Sequence, residues 1–258
     1  MMNARALISA ATLALFIGLE TLFPHFGGRV RRIPHALGNI AVGIINGLLI
    51  GAPASFLYAQ ILPMAEARGL GLARLIDPVA QGTLARGALC FVLFDLWMYA
   101  WHRMNHRIKL LWRLHRAHHS DTAMDASTAL RFHPFEIMLS ALLRIPVMLA
   151  LGMDAADLLV YETCMQTIVQ FHHSNTALPA RADRVMRALV VSPDMHRVHH
   201  SVEWGETNSN YASVFSIWDR LFGSYRARGD TRGMPLGLRF LREEEWQGAA
   251  GVLRTPFA

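Results

Sequence analysis

ALGNIAVGIINGLLIGAPASFLYAQILPMA, residues 36–65, contains no charged side chain. A bilayer core is crossed by about 20 apolar residues in a helix, so this stretch is long enough to span one. Pro53 lies within it and is expected to kink the helix. Reading outward, Ala6–Phe23 is also apolar, with Glu20 near its end. It is long for a signal peptide, and no small-residue cleavage site follows, so it reads as a retained first span. A third apolar stretch, Val79–Trp101, is interrupted by Arg86 and Asp95. A fourth region comes in two halves, Pro134–Leu151 and Ala155–Phe171, divided by Gly152, Met153 and Asp154. The short divider predicts a tight helical hairpin that enters and leaves on one side. Arg144 and Glu162 stand nine residues either side of Met153. An antiparallel hairpin puts them at one depth, and the cost of a lone charge in lipid predicts that they pair.

Composition agrees with a membrane protein. Of 258 residues, 53% are hydrophobic and only 17% charged, against roughly 25% charged in soluble domains. The net charge is +6. No basic stretch carries the interleaved aromatics of a nucleic-acid groove, so nucleic acid is not an expected partner. Cys90 and Cys164 form no CxxC, lie inside apolar segments, and read as small buried hydrophobes. Arg29, Arg31 and Arg32 put the first loop in the cytoplasm by the positive-inside rule. The second loop, through Glu66, Arg68, Arg74 and Asp77, is then outside. The third span returns to the cytoplasm at a segment holding Arg103, Arg107, Lys109, Arg113 and Arg116. The expected architecture is all-α: an integral membrane helical bundle of three spans plus a hairpin, with a histidine-rich helical cap in the cytoplasm, in a bacterial inner membrane. Three units are expected: N-terminal spans over 1–90, a catalytic unit over 91–226 and a C-terminal tail over 227–258.

The histidines carry the chemistry. His102 and His106 form HxxxH, and His115, His118 and His119 form HxxHH. His172 and His173 are adjacent, and His196, His199 and His200 form a second HxxHH. On a helix, residues three and four apart share a face. His102 and His106 can therefore reach one metal, while the rings of one HxxHH diverge and can serve two neighbouring metals. Imidazole suits iron, zinc, copper and nickel. Acceptors are expected behind the rings to orient them. Asp95, seven residues before His102, and Asp194 are candidates, with Asp121 and Asp125 beside them; His133, in Arg131-Phe132-His133-Pro134, is a further neighbour. His25 and His35 fall outside the pattern.

At these residues the chain resembles the fatty acid hydroxylase/sterol desaturase superfamily. The likeness covers about Asp95 to Tyr225. It includes Asp95-Leu96-Trp97-Met98-Tyr99 before the first box, Leu111-Trp112-Arg113-Leu114 before the second, and Phe171-His172-His173-Ser174-Asn175. It closes with Met195–Ser201, Asn210-Tyr211 and Trp218-Asp219-Arg220-Leu221-Phe222-Gly223. The resemblance implies a membrane oxidoreductase with two iron ions that uses O₂ and an external electron donor to hydroxylate or desaturate a lipid; zinc can replace iron in a purified sample. It implies metal ligation by His102, His106, His115, His118, His119, His196, His199 and His200. In some members a histidine between the last two boxes also ligates, and here His172 or His173 fills that place. Members with ten ligands have another about four residues upstream, where this chain has Ile168. No GxGxxG follows a strand, so electrons are expected from a partner such as a ferredoxin or a cytochrome b5-like protein. The substrate is expected from the bilayer. The rival readings are a zinc-dependent membrane hydrolase, though catalytic zinc sites use about three protein ligands, and a metal transporter or haem carrier, which would place histidines inside the spans.

Overall fold

The computed structural model describes residues 2–28, 31–73 and 84–258. Arg29, Arg74, Asp77 and the first residues of the expected third span lie outside these. The described residues are helical, with no strand among them. Helix α1 (Met2–Leu22) is followed by α2 (Arg32–Asn46) and α3 (Ala52–Ala67), which a π-turn at Gly47–Gly51 joins into one long rod. Pro53 follows that turn. Its ring cannot donate to, and would clash with, the carbonyl four residues back in a regular α-helix, and the wider π-turn gives it room while the helix continues through it. Helix α4 (Leu84–Arg107) runs past the end of its apolar stretch, so His102 and His106 occupy its last turns. Helix α5 (Lys109–His119) turns back at once.

The hairpin is α6 (Pro134–Leu151) and α7 (Ala155–His173). Its local signals are complete. Pro134 begins α6 with its missing N–H at the position where none is needed, and the His133 ring accepts from the Phe135 N–H. Gly152 ends it at φ +76, the left-handed conformation that glycine adopts without strain. Asp154 then caps α7 with a reciprocal bond to Asp157. The backbone of Gly71 packs against this tip so closely that a Cβ there would lie 2.1 Å from the Gly152 nitrogen. Arg86 of α4 pins the same tip, pairing with Asp154 at 2.6 Å and Asp157 at 2.7 Å. The predicted Arg144–Glu162 contact is present at 3.1 Å.

Among the described residues, four segments are long and apolar enough to cross a membrane: Ala4–Leu22, Arg32–Ala67, Leu84–Arg107 and Pro134–Leu151. Their outward faces carry exposed Leu7, Leu15, Leu48, Phe56 and Leu142, an apolar surface that suits lipid and not water. The second arm, α7, is more polar, and its polar groups face protein. Gln170, for example, bonds Ser9 and Thr12 of α1. Cys90 is buried as expected, but Cys164 is exposed on α7, because the helix turns that position away from its partners. Between the helices lies a core of Phe94, Met98, Trp101, Met148 and Tyr161. This is an all-α membrane bundle capped at one end by α5 and the short helices after α7.

The tip contact gives a stability prediction. Arg86→Ala leaves two acids in an apolar region, and breaking such a buried pair costs about 3–5 kcal/mol. Unfolding titrations in mixed micelles should show that loss; an unchanged midpoint would mean that Arg86 does not hold the hairpin.

Candidate metal centre

Two groups of imidazoles meet at the capped end. One comprises His102, His106, His115, His119 and His199, and the other His118, His173, His196 and His200; in each, one ligand atom from every ring lies within 4.8 Å of the others. The helix repeat distributes them. On α5, His115 and His119, four apart, face the first group, and His118 faces the second. On helix α8 (Pro193–His199) and the residue after it the division is reversed: His196 and His200 face the second group and His199 the first. Each HxxHH thus contributes to both, and the groups touch where the His119 and His200 rings stack with centroids 4.4 Å apart.

Hydrogen bonds fix which nitrogen points inward. His102 Nδ1–H donates to the Tyr211 carbonyl at 2.7 Å and His199 Nδ1–H to the Ser209 carbonyl at 2.6 Å. His118 Nδ1–H donates to the Arg131 carbonyl at 3.2 Å and His173 Nδ1–H to the Val169 carbonyl at 2.7 Å. His115 Nδ1–H donates to the Glu136 carboxylate at 2.7 Å. A carbonyl can only accept, so each of these rings turns a bare Nε2 to the centre. Yet His102 and His199 approach Nε2 to Nε2 at 3.0 Å, as do His118 and His173. Two lone pairs at that distance repel. Protonation does not relieve this: burial, and then neighbouring imidazoles, push His118, His119, His196, His199 and His200 well below the ordinary histidine range. A cation between the rings does relieve it, since two ligands at about 2.1 Å from a metal and at right angles stand about 3 Å apart. The Nε2 atoms of His106, His115 and His119 are buried and have no hydrogen-bond partner, as a metal-binding role requires. The donor set therefore fits two ions of an imidazole-binding metal.

The surrounding sequence motifs hold these acceptors in place. Buried Asp219 accepts from the N–H groups of Tyr211 and Ala212, which aims the Tyr211 carbonyl at His102. Arg197 donates to the carbonyls of Ser174 and Thr176 and pairs with Asp194 on its own helix, tying α8 to the end of α7. Glu20, at the end of α1, accepts from the N–H groups of Asn175 and Ala126. Arg131, fully buried, donates to Ser120, Ala117, Asn39 and the carbonyls of Trp246 and Gln247, so residues after 226 fold back over the cap.

Several expected roles move. Asp95 is not behind His102; seven residues are about 10 Å of helix, beyond hydrogen-bond reach. Its carboxylate accepts from Tyr161, Trp218 and the Phe215 N–H. Asp194 bonds Arg197 and Thr231, and His133 caps α6; the described contacts of neither reach a clustered ring. Asp121 and Asp125 clasp His35 at 2.9 and 3.0 Å, and the clasp with His35 and Arg131 holds the Asp121 carboxyl well below its usual range against the opposing effect of burial. Of the adjacent pair, His173 joins a group and His172 does not. Neighbours on a helix diverge by about 100°, so both cannot face one centre. The His172 ring packs against His196, tilted by 41° with centroids 3.9 Å apart. Glu136, which bonds both His115 and Asn105, is not among the expected residues; its signal is that it is the one acid in α6 and stands in its first turn.

A family model described as "Fatty acid hydroxylase" matches residues 87–224, more than half of the chain. Human alkylglycerol monooxygenase is 30% identical over 141 residues, covering 54% of this chain and 30% of that protein. Ornithine lipid hydroxylase OlsE of Rhizobium tropici is 30% identical over 226 residues, 86% of this chain and 66% of the relative. Methylsterol monooxygenase erg25A of Aspergillus fumigatus is 33% identical over 168 residues, 63% and 53% of the two chains. The chain thus spans about a third of the alkylglycerol monooxygenases it matches. No solved structure matches.

The ring-orienting bonds separate two acids. Glu136→Gln should weaken metal retention by about 10–100-fold in chelator competition, the usual effect of losing such a partner. Asp194→Asn should leave it near the wild-type value, and equal losses in both would contradict the assignment.

Proposed function

Since the chain belongs to the fatty acid hydroxylase family, we propose that it is a membrane oxidoreductase that oxidises a C–H bond of a lipid with O₂, using two iron ions held by the nine grouped histidines. The relatives' names as monooxygenases and hydroxylases of lipids and sterols support the reaction class. The observation that carries the site is the inward lone pairs of His102, His199, His118 and His173, which need cations between them. Nine imidazoles in two groups exceed the roughly three protein ligands of a zinc hydrolase, which disfavours that alternative. When bound, the irons would supply the O₂ chemistry: with two external electrons and two protons, a C–H bond becomes C–OH and one water is released, or two C–H bonds become C=C and two waters are released.

The protein's part is to position and to exclude. A cavity of about 780 Å³ runs from His102, His115, His118 and His173 between the spans, walled by α1, α2, α6 and α7. Its lining is mainly apolar, including Leu13, Ile40, Phe132 and Met165, so it can hold an alkyl chain and keep water from the reacting carbon. Substrate then comes from the bilayer. Glu136 and the carbonyl acceptors hold the rings in one tautomer, so no imidazole has to reorganise during reaction.

The cap is assigned to the cytoplasm of a bacterial inner membrane, in line with its arginines. Electrons come from an acidic ferredoxin or cytochrome b5-like protein. Exposed Arg107 and Lys109, within one turn of His106, support docking there. By contrast Arg113 and Arg116 are occupied by the carbonyls of Pro256 and Thr255. In this reading residues 91–226 carry the chemistry, residues 1–90 anchor them and wall the cavity, and residues 227–258 seal the cap.

The test is lipid mass spectrometry of cells with and without the gene, under isotopically labelled O₂. A product gaining one labelled oxygen, or losing two hydrogens, is expected only with the gene, and His118→Ala or His199→Ala should abolish it. Label entering from water instead would support hydrolysis and overturn the proposal.

A further inference from the structure

The end of the cavity away from the imidazoles is not apolar. Arg144 of α6 and Glu162 of α7 meet there at 3.1 Å, and Arg5 of α1 pairs with the other carboxylate oxygen. Two guanidiniums share one carboxylate, which leaves an excess positive charge within the spanning region. The other acid that lines the cavity, Glu136, is at the imidazole end on His115. Arg144 Nε is buried with no hydrogen-bond partner, and so is Nε2 of Gln166, one turn from Glu162 on the same helix. Both residues line the cavity.

A hairpin brace needs one arginine and one glutamate. Here there is a second arginine, and two buried donors point to an acceptor that the protein does not supply. Charged and unpaired groups at this depth are costly and mark sites of function. Among the described residues the unmet side-chain atoms at this end, Arg144 Nε and Gln166 Nε2, are donors and the net charge is positive, so the missing partner is an anion. Along α6, Glu136 to Arg144 is eight residues, and along α7, Glu162 to His173 is eleven, which places this end about 12–16 Å from the imidazoles.

We propose that the substrate is an anionic amphiphile whose carboxylate or phosphate binds at Arg5, Arg144 and Gln166, with its chain running down the cavity. The oxidised carbon then lies about 12–16 Å from the anionic group, and the headgroup sits on the far side of the bundle from the cap. Glu162 holds the two guanidiniums side by side. This rests on the lipid-oxidation reading for the identity of the chain end, but the anion site is measured by binding alone.

The experiment uses the full-length protein in nonionic micelles and follows displacement of a fluorescent polyene fatty acid. The competitors are a long-chain fatty acid, its methyl ester and a monoalkyl phosphate of equal length. The acid or the phosphate should bind at least about tenfold tighter than the ester, and the tighter of the two identifies the headgroup. Arg144→Gln and Arg5→Gln should each erase that preference, and Glu162→Gln should strengthen it. If Arg144→Gln fails to fold, Arg5→Gln alone still decides. An ester that competes as well as the acid, or a preference that survives Arg5→Gln, would overturn the proposal. Intact anion selectivity in a protein that shows no O₂-dependent oxidation would instead refute the proposed reaction and leave the anion site standing.

Discussion

The proposed centre rests on one constraint: imidazole nitrogens that face each other across gaps that a cation would fill. His102, His199, His118 and His173 each spend their one N–H on a backbone carbonyl, so their bare Nε2 atoms face each other in pairs at 3.0 Å. His118, His173 and His199 are buried and His102 is partly so, and burial disfavours protonation of the first three. The cap is built to hold this arrangement: Asp219 aims a carbonyl, Arg197 ties two segments, and Arg131 gathers the C-terminal turns. Each of these is a buried charge whose hydrogen bonds go mostly to backbone, the only general way to keep such groups out of water.

The membrane bundle serves the same end from the other side. Its helices leave a long apolar cavity whose inner end is the imidazole pair and whose outer end is the Arg5–Glu162–Arg144 cluster. In the proposed function, a chain held at both ends would present one stretch of carbon to the centre, and position along it, not reactivity, would select the bond oxidised. The hairpin joins the two ends mechanically: Glu136 and Arg144 lie on α6, and Glu162 and His173 on α7.

What the sequence made legible was what helical periodicity controls. The spacing of the two HxxHH motifs foretold that the rings of each would diverge, as they do between the two groups, and the midpoint at Met153 foretold the Arg144–Glu162 pair. What it hid was depth and backbone. Asp95 shares a face with His102 but stands two turns away, so angular logic alone misassigned it. Four of the five ring acceptors described are carbonyls, which any residue carries, so no side-chain pattern announces them. His172 and His173 were equivalent as letters, and only the rotation at which α7 packs decides between them. Glu136 was visible as an isolated acid, but its partner lay 21 residues back on another helix.

The account stands most directly on the presence of two metal ions in the histidine cap. Anomalous diffraction at the iron edge, on protein purified without oxygen and loaded with iron, should give two peaks. One should lie among His102, His106, His115, His119 and His199, the other among His118, His173, His196 and His200, each with nitrogens at about 2.1 Å. A single peak, or peaks away from these rings, would contradict it.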